Sequence, residues 1–425
     1  MRHLVTSPTP QRIAVVGAGI SGLVVAHLLG RVHDVVVFEA GDRPGGHTNT
    51  VRVDTEHATH WIDTGFIVFN DRNYPNFERL LARLGVASQP SDMSFAVSDE
   101  SGDFEYSSTS ANGLFAKRAH LMTPWFLRML ADVVRFQRHG RELLGSAGPG
   151  PSLSDWLAEH RYSPAFVERL LVPQAAAVWS ADPRQMASFP ARFLLEFFHN
   201  HGMLGLRDRP RWRTVAGGSR RYVEALAVPL RDRLRAATPV ASIRRAEDHV
   251  EITPRGRAAE RFDAVVLATH SDQALALLAD ASDREHALLG AIPYQPNQAV
   301  LHTDTRLLPR RRRAWASWNY HLLDAPTGRS TVTYHMNRLQ TLRADREFCV
   351  TLNRAEAIDP ERVIGSYEYA HPVFTSAGRA AQARHAEISG TARTHYCGAY
   401  WGWGFHEDGV VSAVRVAERL GAGGL

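Results

Sequence analysis

A glycine-rich turn near the N-terminus constrains this 425-residue chain more than any other feature. The β-branched run at residues 13–16 leads into Gly17-Ala-Gly19-Ile-Ser-Gly22, and a helical pattern follows. Gly17 allows a tight turn, Gly19 lets the backbone approach a pyrophosphate, and Gly22 lets the helix pack on the strand. The helix N-terminus also presents unpaired N–H groups to an anion. The pattern therefore predicts a strand-turn-helix unit that binds a dinucleotide.

A second apolar strand, at residues 34–38, ends at an acidic residue. This residue, Glu39, follows Gly17 by 22 positions, where a carboxylate can accept hydrogen bonds from both hydroxyls of a ribose. The same negative charge disfavours a 2′-phosphate, so NADP is not expected here. The strand, turn, helix, second strand and acid together predict an adenine dinucleotide site.

A second glycine pair follows this acid, in Arg43-Pro-Gly45-Gly46-His47, and Asp-Thr-Gly comes later at residues 63–65. Here the sequence resembles the FAD-containing amine oxidase, phytoene desaturase and protoporphyrinogen oxidase superfamily. The resemblance implies that Arg43 contacts the diphosphate, that Gly45 and Gly46 line the flavin, and that residues 63–65 anchor the next strand. His47 replaces an arginine that is frequent in the superfamily. Its role stays open between phosphate contact, flavin contact and packing.

Later segments carry the resemblance through the chain. Residues 214–219 precede a helical pattern, as the superfamily's central glycine pair does, and Val240 lies in a strand that resembles the adenine-holding one. Residues 262–270 resemble the strand that returns to the FAD domain. Residues 396–409 predict a strand, a glycine-rich loop and a helix whose N-terminus would point its dipole at the flavin pyrimidine ring.

Motif and resemblance together predict FAD as the cofactor. The early stretch at residues 63–70 and the ending at residues 404–409 look closest to a bacterial subgroup of predicted FAD/NAD-binding proteins, which often accompany cyclopropane-fatty-acid-synthase-like methyltransferases. The predicted cofactor-binding residues are Gly17, Gly19, Ile20, Ser21, Gly22, Glu39, Ala40, Arg43, Gly45, Gly46, His47, Asp63, Thr64, Gly65, Val240, Gly398, His406, Gly409 and Val410.

The predicted fold class is α/β, with a Rossmann-type FAD-binding domain and an interleaved α+β substrate domain, as in amine oxidases. The FAD-binding domain is predicted at residues 1–75, 211–272 and 388–425, and the substrate domain at residues 76–210 and 273–387. The first insert has mainly helical patterns. The second contains strand-like runs, so a sheet there would form a wall facing the flavin.

The flavin would take a hydride at N5, so the protein need supply only position, electrostatics and one base. His406 and Glu407 are the predicted acid–base residues because they lie in the flavin-proximal loop, although a hydrogen bond that braces the loop is an equal alternative for each. Amine oxidases commonly place a lysine beside N5, but the only lysine, Lys117, lies in an unrelated helical pattern. Trp401 and Trp403 could wall an apolar tunnel or simply pack.

These features predict an FAD-dependent oxidoreductase that oxidises or desaturates a hydrophobic substrate, either fatty-acyl or isoprenoid-like. Two alternatives stay open. One is a flavin amine oxidase that produces peroxide, and the other is a flavin-bound accessory subunit of a lipid-modifying methyltransferase, which would then be its partner.

Composition excludes other classes. The formal net charge of +5 is too small and dispersed to indicate nucleic acid. Only two cysteines are present, which excludes a disulfide framework and suits a reducing cytoplasm. No histidine spacing predicts a metal site. A secretory signal is not expected, because glycines break the apolar run at residues 13–30, and no other uncharged apolar stretch has the length of a transmembrane helix.

A basic, aromatic stretch at residues 117–141 has two explanations. It could lie on a membrane surface as a peripheral contact, or it could be a buried helix of the substrate domain. The arginine run at residues 310–313 could hold an anionic head group or form a solvated loop. The apolar stripe of the stretch consists of Met122, Trp125, Phe126, Met129, Leu130, Val133 and Val134.

Overall fold

The computed structural model describes residues 9–148, 150–180, 182–205 and 209–425. The first eight residues of the predicted segment 1–75, and residues 149, 181 and 206–208 of the segment 76–210, lie outside the described residues.

The strands are β1 (Arg12–Val16), β2 (Asp34–Phe38), β3 (Thr50–Asp54), β4 (Thr59–Asp63), β5 (Phe69–Asn70), β6 (Ser88–Pro90), β7 (Phe95–Asp99), β8 (Glu105–Ser107), β9 (Trp212–Val215), β10 (Leu234–Arg235), β11 (Val240–Arg245), β12 (Val250–Pro254), β13 (Glu260–Phe262), β14 (Ala264–Leu267), β15 (Tyr294–His302), β16 (Trp318–Leu322), β17 (Val332–His335), β18 (Cys349–Leu352), β19 (Val363–Pro372) and β20 (Thr394–Tyr396). The helices are α1 (Ile20–Leu29), α2 (Pro75–Leu84), α3 (Ala111–Leu114), α4 (Pro124–Gly145), α5 (Leu153–Glu159), α6 (Pro164–Phe166), α7 (Val172–Trp179), α8 (Ala191–Asn200), α9 (Arg220–Ala227), α10 (Ser271–Leu277), α11 (Asp283–Leu289), α12 (Met336–Leu339), α13 (Ser376–Ala383) and α14 (His406–Arg419).

A five-stranded parallel sheet, in the order β10-β2-β1-β14-β20, forms the centre of the nucleotide-binding part. The predicted strand, turn, helix and second strand are confirmed as β1, α1 and β2. The carboxyl ends of the parallel strands meet at one edge of the sheet, so the residues that follow them lie together. This is the edge at which ligands bind in open α/β sheets.

Both faces of this sheet are covered, which explains why its strands are apolar throughout rather than alternating. Ile13 and Val15 of β1 point into a first apolar cluster with α1, α2, α9 and α14. Ala14 and Val16 point into a second cluster with β11, β12 and the end of β20. The division into two domains stays a prediction. Helix α2 begins at the last residue of the predicted segment 1–75, continues into the predicted segment 76–210, and packs in the first cluster.

A seven-stranded mixed sheet, in the order β19-β15-β18-β17-β16-β7-β8, forms the second layer. The strands β15, β16, β17 and β18 lie in the second insert, where the sequence predicted strand-like runs. The edge strand β19 was not predicted, because glycine, serine and glutamate interrupt its apolar pattern. One face of the sheet packs against α4 to α8 in the third and largest apolar cluster.

The predicted apolar stripe of α4 divides into two groups. Phe126 and Met129 are buried in the third cluster, whereas Met122, Trp125 and Val134 are exposed. The helix therefore has a buried face, as expected for a helix of the substrate domain. It also has exposed apolar residues, as expected for a contact with a membrane surface. In the part of the chain that the structure describes, no helix combines the length and the apolar character needed to cross a bilayer.

Candidate flavin and active site

The three glycines of the first turn have distinct surroundings. Gly17 has a φ of +99°, a conformation that favours glycine. A Cβ added to Gly22 would lie 1.9 Å from the carbonyl oxygen of Gly17, so a side chain there cannot fit. A Cβ added to Gly19, in contrast, would meet no atom within 4 Å. Gly17 and Gly22 thus permit the fold, while Gly19 leaves the helix N-terminus accessible to a ligand, as a pyrophosphate requires.

The predicted ribose acid lies beside this turn. The Oε2 atom of Glu39 accepts a hydrogen bond from the backbone N–H of Ala18 at 2.7 Å, and its Oε1 atom accepts one from Gly41 at 2.8 Å. A carboxylate has about four acceptor positions, so capacity for hydroxyl donors remains. The backbone N–H of Thr238 donates to the carbonyl of Glu39 at 2.8 Å, which brings the segment before Val240 next to the acid. Ala40, the residue after Glu39, is exposed.

The second glycine pair packs on the first turn. The N–H of Gly45 donates to the carbonyl of Ala18 at 2.8 Å, and a Cβ added to Gly46 would lie 3.2 Å from the Cα of Gly19. Arg43 donates to the carbonyl of Thr48 at 2.9 Å, so in this structure its side chain braces the loop. The two glycine motifs thus line one groove, and this arrangement fits a dinucleotide.

The Asp-Thr-Gly turn packs on the other side of the same loop. A Cβ added to Gly65 would lie 2.0 Å from the carbonyl oxygen of His47, so only glycine fits. The hydroxyl of Thr64 lies 2.8 Å from the hydroxyl of Tyr369 in β19. The turn therefore joins the second glycine loop to the seven-stranded sheet.

Asp63 is fully buried and joins three parts of the chain. Its carboxylate accepts hydrogen bonds from the hydroxyl of Thr50, from the N–H of Ser219 at 2.9 Å and from the side-chain amide of Gln340 at 3.0 Å. Burial raises the pKa of Asp63 to about 7, against the opposing effect of these hydrogen bonds. Asp63 thus has a structural place beneath the groove, between β3, α9 and α12.

His406, a predicted acid–base residue, is held from several sides. Its ring stacks on Phe66 with centroids 3.5 Å apart, and its Nε2 lies 3.0 Å from both the hydroxyl of Thr48 and that of Tyr222. Burial and the neighbouring His47 lower the pKa of His406 well below its usual value. The neutral ring therefore fixes the start of α14 against the second glycine loop.

Glu407, the other predicted acid–base residue, caps the N-terminus of α2. Its Oε1 accepts hydrogen bonds from the backbone N–H of Asn76 at 3.1 Å and from that residue's side-chain amide at 2.6 Å. Its Oε2 accepts a hydrogen bond from the N–H of Phe77 at 2.9 Å. Both oxygens are thus engaged in the structure, which favours the bracing role that the sequence left open.

Helix α14 returns to the first turn. A Cβ added to Gly409 would lie 2.9 Å from atoms of both Ile20 and Ser21, so α14 crosses α1 very closely at this glycine. Val410 is fully buried there, and the N–H of Gly398 donates to the hydroxyl of Ser412 in α14 at 3.0 Å. Contacts therefore link the first turn, the second glycine loop and the start of α14, with the N-termini of α1 and α14 side by side.

Two histidines that the sequence did not assign to the site, His270 and His371, lie beside the predicted residue His47. The ring of His47 lies 5.5 Å from that of His270 and 5.4 Å from that of His371. Burial, followed by the neighbouring histidine, lowers the pKa of His47 and of His270 to about 4 and that of His371 to about 3. All three are neutral at pH 7. His270 follows a parallel strand end, a position that could have identified it.

An aromatic wall adjoins the start of α14. Trp403 stacks on Phe193 with centroids 4.3 Å apart, and Phe405 stacks on Phe197 at 5.4 Å. The indole N–H of Trp179 donates to the carbonyl of Trp403 at 3.4 Å, which fixes the loop on the helices. We call these five residues the aromatic wall.

Arg379 was not predicted and lies over this wall. Its guanidinium is 4.7 Å from the ring centre of Phe193 and 5.4 Å from that of Trp403. Its Nη1 donates to the amide oxygen of Gln382 at 2.7 Å, and no carboxylate of the described residues lies within 4.0 Å of it. Trp401, in contrast, is buried in the second cluster, away from the wall.

Other groups lie outside the site. Lys117 is bonded to Asp103 at 3.0 Å, so it does not reach the groove. Within the described ranges, histidine, cysteine, aspartate and glutamate form no group of three that could hold a metal. The sequence expectation of no metal stays a prediction.

Comparisons with known proteins agree with this geometry. Residues 20–421 match the family model for flavin-containing amine oxidoreductases. The flavin-dependent L-tryptophan oxidase of Lentzea aerocolonigenes is 26% identical over 270 residues, which cover 57% of this chain and 54% of that protein. The chain thus spans about half the length of this curated relative.

Solved structures show the same fold. Cyclohexylamine oxidase from Brevibacterium oxydans IH-35A matches with a TM-score of 0.68 and 17% identity, over 97% of this chain and 99% of that one. The CLA-producing fatty acid isomerase from P. acnes matches with a TM-score of 0.66 and 16% identity, over 96% of this chain and 98% of that one. From the family match, together with the groove that fits a dinucleotide, this chain belongs to the flavin-containing amine oxidoreductases and is an FAD-dependent oxidoreductase.

Proposed function

We propose that this oxidoreductase oxidises or desaturates a hydrophobic carboxylic acid of the fatty-acyl type. The observation that carries the proposal is the aromatic wall beside the N-terminus of α14, with Arg379 across it. Bound FAD supplies the redox chemistry by accepting a hydride from the substrate. Binding, orientation and proton handling are then the work of this chain's own residues.

The aromatic wall favours an apolar substrate. Trp179, Phe193 and Phe197 are buried in the third cluster and support the two partly buried rings, Trp403 and Phe405. These two rings can gain from contact with a hydrocarbon chain, because burying apolar area is favourable by about 25 cal/mol per Å². His47, His270 and His371 are neutral at pH 7, so they add no charge that an alkyl chain would have to desolvate.

Arg379 favours a carboxylate on that substrate over an isoprenoid hydrocarbon. Burial lowers the pKa of this guanidinium, but it stays charged at pH 7. Planar guanidinium groups bind carboxylates through two parallel hydrogen bonds. Since its only hydrogen bond in the described residues goes to Gln382, donors remain for a ligand.

His47 is the best-placed proton acceptor in this proposal. Its Nε2 lies 3.1 Å from the carbonyl oxygen of Ala370 and must donate to it, so the neutral ring keeps a lone pair on Nδ1. Its neighbour His371 accepts a hydrogen bond at Nδ1 from the amide of Asn297 at 2.9 Å, which leaves the proton of that ring on Nε2. With Lys117 distant and Glu407 engaged, His47 takes the acid–base role in the proposal.

A second candidate is an amine or amino-acid oxidase that releases peroxide. The relatives favour it, since one is a tryptophan oxidase and another a cyclohexylamine oxidase. The fatty acid isomerase among the structural neighbours favours the first candidate. Arg379 would suit the carboxylate of an amino acid equally well, so the substrate must be decided by experiment.

Anaerobic reduction of the bound flavin distinguishes the candidates. The holoenzyme is mixed with a long-chain fatty acid, its methyl ester, L-tryptophan or cyclohexylamine, and loss of visible flavin absorbance is followed. We expect bleaching by the acid, weaker bleaching by the ester, and none by the other two. Bleaching by L-tryptophan or cyclohexylamine alone would overturn the proposed substrate class.

The Arg379→Met variant tests the carboxylate contact. Losing a charged hydrogen bond costs about 1.5–3 kcal/mol, so half-saturation should need about 10-fold to about 100-fold more acid, with little change for the ester. Arg384→Met is the matched control, because this arginine lies at the end of the same helix and its side chain, among the residues that the structure describes, pairs only with Glu387. Equal effects of both variants would refute the role of Arg379.

The partner and subgroup predictions also stay proposals. If the chain were an accessory subunit of a lipid-modifying methyltransferase, its flavin would be reduced only when that partner is added. Bleaching by the acid with the chain alone would exclude this third reading of the family resemblance.

A further inference from the structure

Exposed apolar side chains concentrate on one part of the surface. Among the described residues nine large apolar side chains are exposed, and five of them lie within 14 positions, in the first half of α4 and in the turn before it. Monomeric soluble proteins rarely expose contiguous apolar patches of this kind without a partner. We call this set the α4 patch: Leu121, Met122, Trp125, Leu127 and Val134, which are 48%, 86%, 41%, 44% and 67% exposed.

The patch has the geometry of a protruding helix end. Leu127 and Val134 lie seven residues apart, so they share the outer face of α4, two turns from each other. Phe126 lies about 100° from Leu127 around the helix axis, is fully buried in the third cluster and stacks on His120 with centroids 4.3 Å apart. Trp125, on the side of the helix away from Leu127, also lies beside His120, with centroids 5.8 Å apart. The segment is therefore firmly held from beneath, and its exposed residues are presented outward.

Positive charge surrounds the patch. Residues 117–141 contain six basic residues and one acidic residue, Asp132. Asp132 is fully buried and bonded to Arg128 and Arg135, so it presents no charge outward. Two other nearby acids pair with basic residues of this stretch, Asp103 with Lys117 at 3.0 Å and Glu142 with Arg138 at 3.2 Å. Among the described residues, the uncompensated positive charge of the stretch therefore comes from Arg118, from Arg141 and from one of the two arginines that share Asp132.

The arginine run at residues 310–313 joins the same surface. A Cβ added to Gly113, just before the patch, would lie 3.1 Å from the carbonyl oxygen of Arg313. Arg311 is close enough to lower the pKa of His120 through its charge, together with the larger effect of burial. Two basic segments, residues 117–141 and 310–313, thus flank one apolar patch although they are far apart in the sequence.

We propose that the α4 patch docks on an anionic lipid bilayer surface. Peripheral proteins bind such surfaces through apolar side chains that enter the membrane–water interface and through lysines and arginines that flank them. The charge decides for an anionic bilayer over a second copy of this chain, because two copies of a cationic face would repel each other. None of the α4 patch residues belongs to the glycine-lined groove or to the aromatic wall, so the docking does not depend on the identity of the substrate.

Sedimentation with vesicles tests this docking. The full-length holoenzyme is mixed with phosphatidylcholine vesicles that contain about 30% phosphatidylglycerol, and with vesicles of phosphatidylcholine alone. We expect binding to the anionic vesicles to be at least about tenfold stronger, and to weaken when NaCl is raised from about 0.1 M to about 0.5 M. Absence of binding to anionic vesicles would overturn the proposal.

Paired variants locate the contact. Met122→Ser combined with Val134→Ser should reduce vesicle binding at least about tenfold, because both side chains would otherwise leave water. The matched control combines Val228→Ser with Val363→Ser, at residues that are 58% and 40% exposed elsewhere. Thermal unfolding and flavin content verify that all variants fold.

Three outcomes would refute the assignment. The control pair could lose binding as strongly as the patch pair, or the patch pair could bind as well as the wild type. Light scattering could also show a dimer that only the patch pair abolishes, which would make the patch a protein interface.

Discussion

Replacing two glycines of the first turn separates folding from cofactor binding. At Gly19 the backbone has φ −72° and ψ −175°, which any residue can adopt, and an added Cβ meets no atom within 4 Å. At Gly22 an added Cβ lies 1.9 Å from a backbone oxygen. Gly19→Leu should therefore fold and lose FAD, whereas Gly22→Ala should lose stability first.

The magnitudes follow from these contacts. The leucine side chain would cover the first N–H groups of α1, and losing two charge-assisted bonds to a diphosphate costs about 3–6 kcal/mol, which is about 100-fold to about 10,000-fold in Kd. The apoprotein of Gly19→Leu should keep its free energy of unfolding within about 1 kcal/mol. In Gly22→Ala the backbone atoms must move apart by more than 1 Å, and overpacking of this kind costs about 3 kcal/mol.

Two assays measure the pair. Urea unfolding of the apoproteins gives the free energies of unfolding, and quenching of FAD fluorescence gives the Kd. If folded Gly19→Leu bound FAD within about threefold of the wild type, the pyrophosphate would not lie at this turn. If Gly22→Ala were as stable as the wild type, the close helix–strand contact would be wrong.

Three further predictions concern neighbouring groups. Glu407→Gln should lower the free energy of unfolding by about 1–2 kcal/mol, since the cap of α2 is damaged, and leave the rate of anaerobic flavin reduction within about threefold; a loss of about 100-fold in that rate at unchanged stability would restore its acid–base role. Asp63→Asn should destabilise the fold by about 2–3 kcal/mol in urea unfolding, because an amide N–H₂ would face donors that the carboxylate satisfied, and a stable variant would contradict this. Burial lowers the pKa of His302 to about 4 and that of His321 to about 3, below the usual 6.5, so their stabilising contribution is complete above pH 6.5 and is lost as the pH falls toward 4. Each should remove up to about 1.4 kcal/mol per pH unit, and a Tm that does not change between about pH 7 and pH 5 would refute it.

The sequence predicted the elements whose chemistry is local. The turn at residues 17–22 and the acid Glu39 were identifiable because each glycine and the carboxylate has a role fixed by a short stretch of backbone. The interleaved second sheet was predicted from its apolar runs, but β19 was missed because it is an edge strand with a polar exposed face.

What escaped prediction depends on contacts between distant segments. His371 and His270 join His47 only because β15 pairs with β19 and because β14 ends beside β1. Glu407 was predicted from the loop in which it lies, but its use as a cap for α2 requires a helix 330 residues earlier to pack there. The spacing of residues along a single sequence does not show which distant segments will contact each other.

Hydrogen–deuterium exchange with ADP and with FAD tests the central claim, that one cofactor extends between the N-termini of α1 and α14. The backbone amides at residues 20–22 and 406–408 are followed in the apoprotein and with each ligand. We expect ADP to slow exchange only at residues 20–22, and FAD to slow it at both helix starts. If FAD left residues 406–408 unchanged, or if ADP protected both sites equally, the arrangement of the cofactor described above would be wrong.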